Sequence, residues 1–152
     1  MKHLLIVFHS QSGHTEALIR AASQGAAELA DEVETRMLRA ADAGLDDLLW
    51  ADGLLLGTPE NFGYMSGALK DFMDRTYYPA EGLTIGKPYA LIVSCDNDGS
   101  GAARAIERIA TGYGWQAIAE PLISRGGIAP GAGERARELG QTLAAGLSMN
   151  LF

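Results

Sequence analysis

The chain has 152 residues, enough for one domain, residues 1–152, with a core that needs no disulfide or metal staple. Its net charge of −7 argues against nucleic acid as a partner, and its single cysteine, Cys95, excludes an internal disulfide. The apolar run near the amino terminus breaks at His9, too short for a signal peptide or a membrane span, so the expectation is a cytoplasmic protein with no membrane insertion.

The run Leu4-Leu5-Ile6-Val7-Phe8 is continuously apolar, which predicts a strand buried on both faces of a parallel sheet. A polar loop carrying Ser10, Ser12, Gly13 and Thr15 stops it. A helical stripe of Leu18, Ala21, Ala22, Gly25, Ala26 and Leu29 follows at once. Val33, Thr35 and Met37 alternate with Glu34, Arg36 and Leu38, the pattern of a half-exposed edge strand. A loop from Ala40 to Gly44 leads to a short helix at Leu45–Trp50, and Gly53–Gly57 is the next buried strand. Pro59, Asn61 and Gly63 break that strand, and Ser66 caps a helix with Leu69, Phe72, Met73 and Tyr77 facing inward. Tyr89–Ser94 is another buried strand, followed by the polar run Cys95–Gly101 and a helix that buries Ala103, Ile106, Ala110 and Tyr113. Ala117–Ile123 predicts a fifth, weaker strand, interrupted by Pro121 and therefore placed at an edge. A last helix turns Ala136, Leu139, Gly140, Leu143 and Leu147 inward.

Strands and helices thus alternate through five strands, which implies an α/β fold with a parallel sheet and helices on both faces. The apolar first, third and fourth strands belong inside and the weaker second and fifth outside, giving the order 2-1-3-4-5. Ligands of such a sheet sit beyond the carboxyl ends of the strands, where the order switches between strands one and three. The loops after strands one, three and four converge there.

The first of these loops has the parts of an anion site. A helix amino terminus leaves backbone N–H groups without partners, and its dipole favours negative charge. Ser10, Ser12 and Thr15 add hydroxyls and Gly13 lets the backbone curl closely. The loop lacks the lysine of a nucleoside-triphosphate loop and the Gly-x-Gly-x-x-Gly of a dinucleotide turn, so a phosphate monoester fits it better.

At this point a resemblance appears. Ser10-Gln11-Ser12-Gly13-His14-Thr15 matches the Ser/Thr-x-Ser/Thr-Gly-x-Thr loop with which the flavodoxin-like superfamily wraps the phosphate of flavin mononucleotide (FMN). The stretch from Gly53 through Thr58-Pro59-Glu60 and on to the helix around Asp74 resembles the NAD(P)H-dependent flavin and quinone reductases of that superfamily. The resemblance implies a flavodoxin-like three-layer sandwich and FMN as cofactor. It also implies cofactor-binding roles for Ser10, Gln11, Ser12, Gly13, His14 and Thr15 at the phosphate. Thr58 joins the set, with Pro59, Glu60, Asn61, Phe62, Gly63 and Tyr64 flanking the isoalloxazine ring. Cys95, Asp96, Asn97 and Gly99 would meet the pyrimidine or ribityl side. Asp96 and Asp98 bring negative charge close to the ring, which opposes its anionic reduced form.

For Phe62 and Tyr64 an equal reading is that they cover the core beneath a surface loop. Cys95 reads as an apolar strand end rather than a nucleophile, and the three histidines form no metal set. No stacking Trp or Tyr-Gly pattern of the electron carriers is present in the second loop, and the fifth strand has no long insertion. The resemblance therefore implies an oxidoreductase that takes hydride from NAD(P)H and passes electrons to a quinone or similar small acceptor, with no obligatory side-chain acid or base. Family members often complete the site at a subunit interface, so a homo-oligomer is implied as a partner state. Two alternatives stay open: a flavodoxin-type carrier serving a redox partner protein, and a domain of this fold that binds another phosphate ligand or only a protein.

Overall fold

Leu4, Ile6 and Phe8 point to one side of the first strand and Leu5 and Val7 to the other, and all five are buried. That is the physical reason for an unbroken apolar run: a central parallel strand has no wet face. The computed structural model, which describes all 152 residues, builds a parallel sheet around this strand, β1 (Lys2–Phe8). The remaining elements are α1 (His14–Ala26), extended by a 3-10 turn (Ala27–Leu29), β2 (Val33–Arg39), α2 (Leu45–Trp50), β3 (Gly53–Pro59), α3 (Gly67–Thr76), β4 (Pro88–Cys95), α4 (Ser100–Tyr113), β5 (Gln116–Ala117), β6 (Leu122–Arg125) and α5 (Ala132–Ser148). The order β2-β1-β3-β4-β5 is the expected one, with β6 also paired to β4.

The sixth strand corrects the expectation of a single strand over Ala117–Ile123. Ala117 lies opposite Tyr89 and Leu122 opposite Ile92, so five steps along the edge strand match three along β4. The surplus bulges out around Pro121, which has no N–H for the ladder. Pairing resumes beyond it, so the edge is one interrupted strand in two segments.

Two cores flank the sheet. α2, α3 and α4 bury Leu48, Leu69, Phe72, Met73, Ile106 and Ala110 against Leu5, Val7, Leu54, Leu56 and Leu91. On the opposite face, α1 and α5 bury Leu18, Ile19, Ala22, Leu143 and Leu147 against Leu4, Ile6, Leu55 and Ile92. α1 and α5 touch backbone to backbone. A Cβ added at Gly25 would strike the carbonyl of Arg137, and one at Gly140 would strike that of Ala22. This contact holds α1, and the loop that precedes it, firmly on the sheet. No helix is long and apolar enough to cross a membrane.

Candidate functional site

The chain leaves β1 with the His9 N–H still bonded to the Gly57 carbonyl at 3.1 Å, then turns through Gly13 at φ 98° into α1. Ser10 Oγ accepts from the Glu16 N–H at 3.2 Å and the Gly13 carbonyl accepts from Ala17 at 3.0 Å. The backbone N–H groups of Gln11, Ser12, Gly13, His14 and Thr15 have no acceptor within the chain. Five consecutive donors left open around one turn make a cradle for an anion. The Thr15 hydroxyl is not among the open donors, because it is buried behind the loop, 2.7 Å from Ser94 Oγ. That contact pins the first turn of α1 to the end of β4, and Thr15 offers the loop its N–H. Ser12 Oγ lies 3.2 Å from His14 Nδ1, and the His14 ring rests on Gly127, where an added Cβ would stand 2.8 Å from it. Glu16, in the first turn, would repel an anion. Its carboxylate instead accepts from Arg20 at 2.9 Å and Arg39 at 2.7 Å, and these bonds hold its pKa below the usual range.

The second loop is a clamped hairpin. Thr58 Oγ1 accepts from the Ser66 N–H at 2.9 Å and donates to the Pro59 carbonyl at 2.8 Å, closing its base. Asn61 and Tyr64 exchange both N–H···O bonds, at 2.9 and 3.0 Å. Phe62 (φ 53°) and Gly63 (φ 74°) form the tip, both in the left-handed region that a type I′ turn requires. Glycine takes this conformation freely, but an aromatic residue does so at a cost of about 1–3 kcal/mol. Phe62 is fully exposed and Tyr64 is exposed, so neither covers the core; Met65 does. Ser66 caps α3 as expected, accepting from the Leu69 N–H at 3.3 Å.

The third loop is tied to the second by Glu60. Its carboxylate accepts from the N–H groups of Gly99 at 3.0 Å and Ala102 at 3.2 Å, capping α4 from another loop. Where α4 begins, Gly101 lies against Gly63, so that an added Cβ would come within 2.8 Å of the Gly63 carbonyl carbon. Asp98 accepts from the Ser100 hydroxyl at 2.8 Å and from its N–H, which lowers the Asp98 pKa. Cys95 is buried, its thiol 3.6 Å from the Ser124 carbonyl. Burial, with the carboxylates of Glu60, Asp98 and Asp96, pushes that thiol above its ordinary range, the opposite of an activated nucleophile.

Between the loops lies a cavity of about 410 Å³, lined by Gln11, Ser12, His14, Pro59, Glu60, Asn61, Ser94, Cys95 and Asp96. All but Ser94 are residues that the sequence singles out. Ser10, Gly13, Thr15, Thr58 and Gly99 build the cavity's frame, Phe62, Gly63 and Tyr64 form the hairpin beside it, and Asn97 is exposed nearby. Ser94 is missed by sequence reasoning, although a hydroxyl in the otherwise apolar Tyr89–Val93 run is a signal. The Gly126-Gly127 turn is missed as well; its N–H groups bond the Cys95 carbonyl at 2.9 and 3.1 Å, which brings it under His14. Its lining joins the open-donor loop, through Gln11, Ser12 and His14, to the carboxylates of Glu60 and Asp96. A ligand with an anionic tail and a neutral polar head suits that polarity. No group of three or more His, Cys, Asp or Glu side chains is placed to hold a metal.

The profile of a family described as NADPH-dependent FMN reductase matches residues 1–126, from β1 through β6 and the first residue of the Gly126-Gly127 turn. The chain belongs to that family. It is 33% identical over 114 residues to an NAD(P)H dehydrogenase (quinone) of Acidithiobacillus ferrooxidans, the match covering 62% of this chain and 57% of the relative. It is 34% identical over 74 residues to a flavodoxin of Aquifex aeolicus, covering 49% of this chain and 40% of that one. The chain thus spans less than two thirds of the length of either relative. An archaeal flavodoxin structure superposes with a TM-score of 0.81 at 21% identity, over 95% of this chain and 98% of the other, and shares its fold. The cradle, the hairpin and the α4 cap all lie within the part that matches the FMN reductase family.

Proposed function

We propose that this member of the FMN reductase family binds FMN across the three loops and uses it to carry hydride from NAD(P)H to a quinone or similar small acceptor. The observation that carries the reading is the row of five open N–H donors at Gln11–Thr15, set beside a cavity of about 410 Å³. The donors hold the phosphate, supported by the neutralised Glu16 and by His14 and Ser12. The hairpin and the Cys95–Gly99 segment hold the ring between them, and the Glu60 bonds to Gly99 and Ala102 keep that spacing fixed. FMN, when bound, supplies the electron chemistry. The protein supplies position, exclusion of water and a local field made negative by Asp96 and Glu60. A protein drawing on NAD(P)H works where that pool is, in the cytoplasm.

The test is anaerobic. NADH or NADPH added to the FMN-loaded protein bleaches the flavin absorbance without any partner protein, and added quinone restores it. A flavin that resists both nucleotides at millimolar concentration, yet is reduced readily by a separate reductase, would replace the enzyme with a flavodoxin-type carrier.

A further inference from the structure

On the far side of the hairpin from the flavin cavity, α3 and α4 run side by side with a groove between them. Two adjoining cavities make it up, of about 520 and 320 Å³, and both are lined by Lys70, Arg108 and Ile109. Its upper end is marked by Tyr64 and Gly101, its middle by Lys70, Arg104 and Arg108, and its lower end by Tyr78. Three cations therefore line one groove of a chain whose net charge is −7. Lys70 is partly neutralised by Asp74 at 2.6 Å. Arg104 hydrogen-bonds only the Ser100 hydroxyl, at 3.3 Å, with the Asp98 carboxylate near enough to feel its charge, and the Arg108 guanidinium makes no ion pair or hydrogen bond. Two guanidiniums without a direct ion pair in a concave site are the chemistry of phosphate recognition, and Asp74, the one carboxylate that lines the groove, is paired to Lys70. Beyond them Tyr78, exposed and held edge-on by Tyr77 at 5.2 Å between ring centres, offers an aromatic face.

The groove also connects with the flavin site. Asn61 lines the flavin cavity and Tyr64 lines the groove, and these two residues are hydrogen-bonded to each other across one hairpin. The wall between the two sites is thus the one hairpin turn that Asn61 and Tyr64 close, with the exposed Phe62 at its crest.

We propose that the α3–α4 groove binds the adenosine diphosphate half of the nicotinamide dinucleotide, with the pyrophosphate on Arg104 and Arg108 and the adenine toward Tyr78. The proposal rests on the reductase reading above for its physiological ligand. It gives that reading a location, since the nicotinamide end then reaches the flavin over the crest of the hairpin.

The probe is adenosine 5′-diphosphate itself, titrated calorimetrically into the FMN-loaded protein. It binds the wild type, more weakly as salt is raised. The variant R104E/R108E lowers that affinity by about tenfold or more, and the milder R104Q/R108Q lowers it in the same direction, while FMN affinity stays as it was. No binding of the diphosphate to wild type, or equal binding to R104E/R108E, would overturn the proposal. Flavin reduction by NADPH with an unchanged KM in R104E/R108E would overturn it too and leave the reductase reading standing. The converse outcome, Arg104-dependent diphosphate binding with no flavin reduction by either nucleotide, supports the groove and refutes the reductase.

Discussion

Removing the phosphate from the ligand tests the first loop without touching the protein. Riboflavin keeps the ring and the ribityl chain of FMN and lacks only the anion. In this structure the N–H groups of Gln11 to Thr15 have no protein acceptor, so each bond they make to a phosphate is new. Hydrogen bonds to a charged group contribute about 1.5–3 kcal/mol each. If only two of the five form well, the difference is about 3–6 kcal/mol, or roughly 10²- to 10⁴-fold in the dissociation constant. Titration of apoprotein into each flavin, followed by quenching of flavin fluorescence, measures both constants directly. FMN binding weakens as salt is raised, whereas riboflavin binding hardly responds, because only one of them brings a net charge to the cradle. Affinities within a few-fold of each other, with the same salt dependence, would show that the open donors are not the phosphate site.

Three further outcomes are expected. Glu60→Ala deprives Gly99 and Ala102 of their acceptor, costs about 1–3 kcal/mol in urea unfolding of the apoprotein, and weakens FMN binding as the third loop loosens. Gly101→Ala drives a methyl group into the Gly63 carbonyl and lowers stability by about 1–3 kcal/mol, while Gly67→Ala, whose Cβ meets nothing within 4 Å, is the neutral control. Tyr113 is pushed up to about 12 by burial, so the folded state keeps it neutral after the unfolded chain has begun to ionise near pH 10. Its contribution is complete below about pH 10 and is lost as pH rises through about 12. Tyr113→Phe therefore shows a shallower alkaline decline than wild type in urea midpoints measured from pH 9 upward, with the residual decline belonging to Tyr89 and other groups.

What the sequence reveals and what it conceals divide along a physical line. β1, β3 and β4 are apparent because double burial leaves an unbroken apolar run, and Ser66 because a cap bonds three residues ahead. The edge strand is misread in its register and extent, since Pro121 marks an interruption but not how many residues are skipped there, nor that pairing runs on to Arg125. Glu60 resembles an ordinary turn residue because its partners lie 39 and 42 positions away, and the Thr15–Ser94 contact spans 79. Such roles exist only once the loops have met. Phe62 shows the reverse conflict: its side chain suggests burial, but the left-handed turn it occupies places it in water.

The glycine contact between α1 and α5 has a consequence for the order in which the molecule forms. β1 and α1 emerge early in synthesis, yet the helix that seals them against the sheet comes much later; the Glu28–Arg137 pair alone spans 109 positions. Until α5 docks, Leu18, Ile19 and Ala22 have the sheet on one side but lack Leu143, Ala144 and Leu147 on the other, and the Thr15–Ser94 contact fixes only the start of α1. Contacts so distant in sequence close slowly. The face of α1 that α5 covers therefore stays open while every element between them is made. The loop between β1 and α1 is thus made before the other two, while the helix that follows it is sealed only by the last element.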